Sequence, residues 1–354
     1  MKDSQTTFSE QVVHFGPGIR RQGGRALEKL AAERAIVLST PNQVDIAMEL
    51  AADLGARAAG VFTKATMHTP VGVTDEALAH ARSIQADSVV AVGGGSTIGL
   101  GKALALRTDM AQVVIPTTYA GSEATPILGQ TENGVKTTLT DAKVLPEVIL
   151  YDPELVATLP LNMTVTSSLN AMAHAAEALY AQDRMEQSTA LAIEGLNAFV
   201  SGLPAVTANL SDLAAREATQ RGAWACGTVL GQVGMALHHK LCHTLGGTFD
   251  LPHAETHAVI LPHAIHYNAA AVPDLLAPVS DLLGGEAPGL ALWEFAKRMG
   301  APTALREFGM PEDGITRAIE IALQKPYWNP RAITAEGLEA LLKDAWAGNA
   351  PGTT

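Results

Sequence analysis

Histidines are concentrated in one stretch of this sequence, with a spacing that suits metal binding or proton transfer. Seven of the eleven histidines lie between positions 238 and 266. In the run ALHHKLCHTLGG, His239 and His243 are four residues apart, so on a helix they share one face. His253 follows after a glycine pair and a proline, in the run HAETH. Two histidines on one helix face with a third downstream are typical of metal-ligand sets and of active sites.

A single helical histidine is more often packed or solvated than a ligand, but seven in so short a window favour an active-site role for these three together. His238 lies on a different helix face from its neighbour His239, so we interpret it as a structural residue. Upstream, the run LNAMAHAAEALY holds Asn170 and His174, which are also four residues apart.

A glycine-rich run, GGGS, follows a β-rich segment that ends at Val92 and precedes a helical pattern. Glycines allow a sharp turn and a close approach of a ligand, and the helix N-terminus offers free N–H groups to a phosphate. The spacing is neither of the two common nucleotide-binding patterns, GxGxxG and GxxxxGK[ST]. The run therefore indicates either a site for a dinucleotide pyrophosphate or a plain strand–helix turn.

Hydroxyl residues follow two other predicted strands. Thr117, Thr118 and Ser122 lie in IPTTYAGSEATP, at an edge of a parallel sheet where ligands commonly bind, although Ser122 is also suited to capping a helix. The first predicted strand ends in Ser39 and Thr40, where an acidic residue would bind a ribose hydroxyl and repel a 2′-phosphate. We therefore predict weak discrimination between NADH and NADPH.

The elements that must position these residues change character along the chain. The first half alternates short Val- and Ile-rich runs with helical patterns, which predicts a mostly parallel sheet with helices on both faces. The predicted strands are Ala35–Ser39, Ala58–Thr63, Ser88–Val92, Gln112–Pro116 and Val148–Tyr151, and the helices between them include Gln43–Leu54 and Asp75–Ile84. The second half predicts helices only, among them Thr164–Tyr180, Gln187–Val200 and Leu213–Val233. We predict an α/β dinucleotide-binding domain over 1–158 and an all-α catalytic domain over 159–354.

Composition narrows the function classes. The net charge is −12 and no run rich in Lys or Arg occurs, which argues against nucleic acid and anionic membranes as partners. Two cysteines in apolar sequence indicate no disulfide framework and fit a reducing cytoplasm. We expect neither a signal peptide nor a stretch apolar enough to span a membrane.

Together, GGGSTIGLGK, PTTYAGSE, NAMAHAAEALY and GMALHHKLCHTLGGTFDLPHAETHAVILPH resemble the iron-containing alcohol dehydrogenase superfamily, and YWNPRAIT resembles its NPR element. The resemblance implies a dehydroquinate synthase-like fold with an α/β nucleotide-binding domain, a helical domain and an active site in the cleft. It assigns cofactor contacts to Gly94, Gly95, Ser96, Thr117, Thr118 and Lys136. A homodimer is also expected from the resemblance.

Metal-dependent members of that superfamily bind one divalent ion through an Asp and three His. The corresponding residues here are Asn170, His174, His239 and His253, while His243 matches a further histidine near the nicotinamide. Asparagine is neutral, so the site lacks one negative charge that would offset the cation. An Asp usual in the glycine-rich helix is also replaced, by Gly99. Both departures resemble a reductase branch thought to work without metal, and we predict no obligatory metal.

This branch implies reduction of the carbon–carbon double bond of 2-maleylacetate, a dicarboxylate, to 3-oxoadipate with NADH or NADPH. His174, His239 and His253 are then candidate donors to the developing oxygen charge, with His243 as a possible proton donor. Arg331 and Lys136 are available for the carboxylates, and His68 either lines the cleft or belongs to a loop turn. The alternatives are a metal-dependent alcohol or glycerol-type dehydrogenase, a lyase of the dehydroquinate synthase type, and a non-catalytic histidine-rich metal-binding protein.

Overall fold

The structure is a computed structural model of the 354-residue chain. It describes residues 4–8, 11–285, 287–324 and 327–354, without the side chains of residues 4–8 and of Lys136. Unit 1 comprises Met1–Leu159 and Ser211–Gln220, and unit 2 comprises Pro160–Leu210 and Arg221–Thr354. The segment Ser211–Gln220 thus groups with unit 1. A single domain boundary near residue 158 would place this segment in the second domain.

Unit 1 is built on a sheet that is parallel except at one edge. Its strands, in spatial order, are β1 (Ser4–Phe8), β2 (Gln11–Phe15), β9 (Val148–Tyr151), β6 (Ala111–Pro116), β5 (Ser88–Gly93), β3 (Ala35–Leu38) and β4 (Ala58–Phe62). Only β1, which pairs with β2, runs antiparallel to its neighbour among the described strands. The mostly parallel sheet predicted from the sequence is confirmed, and the predicted strand ends move by one residue at most.

The central strands are hydrophobic along their whole length because both faces of the sheet are covered. Every residue of β3, β5 and β9 is buried. The helices of this unit are α1 (Gly23–Lys29), α2 (Val44–Leu54), α3 (Val71–Ser83), α4 (Gly95–Thr108) and α5 (Pro153–Val156). Gly93 of β5 pairs with Pro116 of β6. This register brings the GGGS turn and the hydroxyl run that begins at Thr117 to the same sheet edge.

A hairpin that the sequence prediction lacked forms a second, two-stranded sheet in this unit. It consists of β7 (Ile127–Glu132) and β8 (Val135–Thr140), which pair antiparallel. Asn133 and Gly134 connect the strands, and both have positive φ, 50° and 77°. An Asn-Gly pair in this conformation is the preferred two-residue hairpin turn.

Unit 2 contains helices and no strands within the part of the chain that the structure describes, as predicted. Its helices are α6 (Leu161–Ala178), α7 (Glu186–Ala208), α9 (Leu237–Phe249), α10 (His253–Ala269), α11 (Pro273–Leu283), α12 (Pro288–Arg298), α13 (Gly314–Gln324) and α14 (Ala335–Ala347). Helix α8 (Leu213–Leu230) starts in the segment of unit 1 and continues into unit 2. One hydrophobic core joins α9, α10, α13 and α14, and α6 packs against α7 and α10.

Helix α7 corrects one expectation. Its 23 residues are long and apolar enough to cross a membrane by length and composition, with a mean hydropathy of 1.3 in the most apolar window. It packs against α6 and carries the buried side chains Leu196, Phe199 and Leu203. A core helix of a soluble protein has the same properties.

Candidate active site

The glycine-rich turn in unit 1 requires glycine for steric reasons. Gly93 has φ of +156°, and a Cβ there would lie 2.3 Å from Thr97 Oγ1. A Cβ on Gly94 would lie 2.9 Å from Thr118 Cγ2, whereas on Gly95 it would meet only Ser122 Oγ, at 3.9 Å. Helix α4 begins at Gly95 without a side-chain cap. Its first N–H groups and the positive end of its dipole are therefore suited to an anion such as a pyrophosphate.

Gln43 connects the hydroxyl residues of two strand ends. Its Nε2 donates to Thr117 Oγ1 at 2.9 Å, and its Oε1 accepts from the Thr40 hydroxyl at 3.3 Å. Ser39 is fully buried and donates its hydroxyl to the carbonyl of Thr40. Ser39 is thus less accessible than Thr40 and Thr118, which are partly exposed, and the roles of all three as cofactor contacts stay predictions.

Lys102, which sequence reasoning did not single out, lies below the hydroxyl-rich segment that follows β6 and binds its backbone carbonyls. Its buried ammonium donates to the carbonyls of Ser122, Thr125 and Ile127 at 2.6, 2.7 and 2.9 Å. Burial lowers the pKa of Lys102 to about 7, against the opposing effect of the nearby Glu123. A lysine in the first helix after a glycine-rich turn is the signal that could have found it.

Two other predicted residues of unit 1 have different outcomes. His68 is exposed in a loop with φ of +66°, which fits the loop-turn reading. The side chain of Lys136 lies outside the described residues, so its role as a cofactor contact stays a prediction.

At Gly99, a Cβ would lie 2.4 Å from Thr69 Oγ1. A side chain at this position, such as the aspartate that the resemblance implies, would require Thr69 to move.

In unit 2, three helices bring the predicted histidines together. His174 on α6 lies with its ring centroid 5.2 Å from that of His239 on α9, and His243 lies 6.2 Å from His239. His253, the first residue of α10, lies 4.4 Å from His257, which is itself 5.2 Å from His239. Sequence reasoning gave His257 no role, although its position one helical turn after His253 was a usable signal.

Several of these imidazoles are held neutral by burial. Burial lowers the pKa of His174 and of His257 well below the usual value, and neighbouring histidines lower both further. Burial also lowers the pKa of His238 to about 3. His238 is fully buried, and its Nε2 lies 2.9 Å from His257 Nδ1. It supports the cluster from inside the protein, in keeping with the structural role predicted for it.

Glu177, on α6, is the anionic partner of this cluster and was missed from the sequence. Its Oε2 accepts from His239 Nδ1 at 2.6 Å. Burial acts to raise the pKa of Glu177, but the hydrogen bond and charge of His239, together with backbone N–H donors, outweigh it and lower the pKa to about 2. Because a carboxylate only accepts hydrogen bonds, His239 carries a proton on Nδ1.

Three of the residues at the four possible metal-ligand positions present buried donor atoms. Asn170 Oδ1, His174 Nδ1 and His239 Nε2 are buried without a partner among the described residues, so lone pairs are present. The set Asn170, His174, His239 and His253 nevertheless contains no anionic ligand. A divalent ion placed there would gain no compensating charge from its direct ligands, which lowers the expected affinity for a metal. That no metal is obligatory stays a prediction.

A second group, formed by His238, Cys242 and His257, places its possible ligand atoms within 4.8 Å of one another. Two nitrogens bound to one tetrahedral zinc ion lie about 3.4 Å apart, whereas His238 Nε2 and His257 Nδ1 are 2.9 Å apart. Burial also raises the pKa of the Cys242 thiol well above its usual value. In this geometry the group forms a hydrogen-bonded set of side chains.

The YWNPR segment contacts the helices around the cluster. Arg331 donates to the carbonyl of Tyr267 at 2.9 Å, and its guanidinium lies 4.1 Å from the centre of the Tyr267 ring. Arg331 is nevertheless exposed, so its role toward a substrate carboxylate stays a prediction. Asn329 pairs with Asn268 through two hydrogen bonds of 2.7 and 3.0 Å.

An α/β unit with a glycine-rich turn and a helical unit with clustered histidines define a class of two-domain dehydrogenases. The family model of iron-containing alcohol dehydrogenase matches residues 11–153, and that of the C-terminal region of this family matches 164–346. The chain belongs to the iron-containing alcohol dehydrogenase family.

Within this family, several curated relatives at high identity are maleylacetate reductases. The chain is 55% identical over 346 residues to the maleylacetate reductase of a Rhizobium species, with 98% of both chains covered. It is 51% identical over 339 residues to that of Sphingobium indicum, covering 96% of both. The crystal structure of maleylacetate reductase from Agrobacterium tumefaciens is similar with a TM-score of 0.95 at 53% identity, covering 99% of this chain and all of that one.

Proposed function

We propose that this chain is an oxidoreductase that reduces the carbon–carbon double bond of 2-maleylacetate to 3-oxoadipate with NADH or NADPH. The observation that carries the proposal is the donor set of unit 2, in which imidazoles and an amide stand without a carboxylate among the metal-ligand positions. The relatives named maleylacetate reductase, at near full length, support the same activity.

The reaction transfers a hydride from the dihydronicotinamide to the alkene carbon distant from the ketone. Negative charge then develops on the ketone oxygen as an enolate, and the carbon next to the ketone takes a proton. The cofactor leaves oxidised, and the product is the saturated keto diacid. The protein must therefore supply hydrogen-bond donors to the oxygen and one proton to carbon.

The hydrogen bond to Glu177 refines the donor assignment. His239 uses Nδ1–H to donate to Glu177, so a neutral His239 offers only a lone pair at Nε2. It donates to the enolate through Nε2 only as a doubly protonated ring, whose positive charge the adjacent carboxylate stabilises. His174, whose pKa burial lowers, and His253 are the other candidates for this donation, and His243 is the candidate proton donor to carbon.

We also propose that no metal is obligatory, that the substrate is a small dicarboxylate, and that the enzyme is a cytoplasmic homodimer. Thr40 carries no charge that would select against a 2′-phosphate, so we expect affinities for NADH and NADPH that differ less than about a hundredfold, or roughly 2.7 kcal/mol. Sedimentation velocity tests the dimer, and cofactor titrations test the lack of discrimination.

The decisive experiment follows absorbance at 340 nm with maleylacetate and each reduced cofactor, before and after exhaustive chelation. We expect oxidation of the cofactor with formation of 3-oxoadipate and an unchanged rate after chelation. Loss of all activity on chelation, recovered only with iron or zinc, would contradict the metal-free proposal. No consumption of cofactor with maleylacetate, combined with oxidation of simple alcohols or diols, would instead identify a metal-type alcohol dehydrogenase.

A further inference from the structure

The start of helix α9 is capped by a side chain from a distant helix. The first four N–H groups of a helix have no partner within it, and α9 lacks a capping side chain of its own. Three of these groups donate to Glu177 of α6, those of Ala236 at 3.1 Å, His238 at 2.9 Å and His239 at 3.4 Å. The fourth, that of Leu237, donates to Asn329 Oδ1 at 3.4 Å.

The same carboxylate also fixes the ring of His239. The carboxylate oxygen that receives the N–H of Ala236 receives His239 Nδ1 at 2.6 Å. Glu177 is fully buried, so the bond is shielded from water. One side chain therefore sets both the backbone position of His239 and the direction of its ring, and leaves Nε2 without a partner among the described residues.

Other side chains hold Glu177 in turn. Tyr180 donates its hydroxyl to Glu177 Oε1 at 3.1 Å and accepts from Asn268 Nδ2 at 3.1 Å. Asn268 pairs with Asn329, which closes the network on the N–H of Leu237. Every hydrogen bond of this network lies within unit 2. Through this network, Asn329 of the YWNPR segment helps to position the histidine cluster although it is remote from it in sequence.

We propose that Glu177 is a positioning residue of the active site, which holds His239 as the tautomer protonated on Nδ1 with Nε2 presented to the ligand, while Asn329 completes the cap of α9. The importance of His239 for turnover rests on the proposed function; the tautomer and the orientation do not. The arrangement matches the general pattern in which a carboxylate orients a functional histidine through its second nitrogen.

The test uses the full-length protein with ¹⁵N-labelled histidine, observed by long-range ¹H–¹⁵N NMR correlation. The signal of His239 is assigned by its loss in His239→Gln. We expect wild-type protein to show His239 protonated on Nδ1, and Glu177→Gln to show a mixture of tautomers. In Glu177→Gln we expect kcat with maleylacetate to fall by about tenfold or more, with little change in the KM for the reduced cofactor.

Two control variants separate positioning from stability. Asp344→Asn neutralises another buried carboxylate of unit 2, which accepts from the N–H groups of Thr353 and Thr354, and should leave the His239 signal unchanged. Asn329→Ala removes the cap of Leu237 and the paired hydrogen bonds with Asn268, but it leaves the contact between Glu177 and His239, so it should lower the melting temperature while His239 keeps its tautomer.

The outcomes distinguish this proposal from the proposed function. A wild-type His239 protonated on Nε2 overturns the positioning role without any variant, which covers the case in which Glu177→Gln fails to fold. An unchanged tautomer and an unchanged kcat in a folded Glu177→Gln overturn it as well. A protein inactive on maleylacetate that still shows the expected tautomer shift would refute the proposed function and retain the role of Glu177.

Discussion

Asn170 occupies the position at which the metal-dependent proteins that this sequence resembles carry an aspartate. It is buried, and its Oδ1 has no partner among the described residues. We predict that Asn170→Asp raises the affinity for Zn²⁺ or Co²⁺ by about tenfold or more, because the added negative charge offsets that of the cation. Calorimetric titration of the chelated protein measures the affinity, and the absorption spectrum of Co²⁺ reports its ligands.

The matched control for this charge is Asn162→Asp. Asn162 lies on the same helix but is exposed, so the same substitution there adds the charge without placing it among the histidines. Equal metal affinity in both variants would show that Asn170 is not what weakens metal binding.

His243 is predicted to supply the proton to carbon. It is exposed and lies one helical turn after His239 on α9. Replacement by Ala should lower kcat by about a hundredfold, the usual contribution of a general acid, with little change in cofactor affinity. Steady-state kinetics with maleylacetate measure the effect, and an unchanged kcat would refute the role.

Spacing along the chain was enough to find some of these residues and not others. His239 and His243 share a helix face, and so do Asn170 and His174, which a sequence displays directly. Glu177 also follows His174 at a helical spacing, but a glutamate on a helix is commonly solvated. Its meaning depends on a contact with His239, 62 residues away, which no local pattern encodes.

At the scale of elements, buried parallel strands were predictable because their residues are hydrophobic without alternation. The hairpin β7–β8 was not predicted, because its strands carry polar residues in TENGVKTTLT and bury few side chains. The Asn-Gly pair at positions 133 and 134 was nevertheless a direct signal for a hairpin turn.

The turn between β5 and α4 yields a prediction about cofactor binding. In Gly94→Ala the new Cβ would meet Thr118 Cγ2 at 2.9 Å and Oγ1 at 3.2 Å. Thr118 must then move away from the sheet edge, so we expect the affinity for NADH to fall by about tenfold or more. Fluorescence titration with NADH measures this affinity.

Gly24→Ala is a control for the added methyl group. Gly24 lies in helix α1, and a Cβ there has no atom within 4 Å. The affinity of the Gly24→Ala variant for NADH should equal that of the wild type. Unchanged binding in Gly94→Ala would show that the turn does not approach the cofactor as closely as we propose.

At the scale of the whole molecule, the division into units could not be derived from the sequence. Ser211–Gln220 groups with unit 1 although it is separated in sequence from the rest of that unit by the residues of α6 and α7. Arg216 anchors it. Its side chain is fully buried and donates to the Tyr119 hydroxyl at 3.1 Å and to the carbonyl of Leu159 at 3.4 Å.

We therefore predict that Arg216→Met destabilises unit 1 in preference to unit 2. Methionine fills much of the volume but leaves the Tyr119 hydroxyl and the Leu159 carbonyl without this donor, at a cost of about 3 kcal/mol. Hydrogen–deuterium exchange with mass spectrometry should show faster exchange in peptides of β5, β6 and β9. All four tryptophans lie in unit 2, so denaturation followed by their fluorescence should change less.

The control is Arg317→Met, which removes an exposed arginine paired with Glu320 and should alter stability by no more than about 0.5 kcal/mol. Equal loss of protection in both units of Arg216→Met would show that the segment does not belong to unit 1 alone.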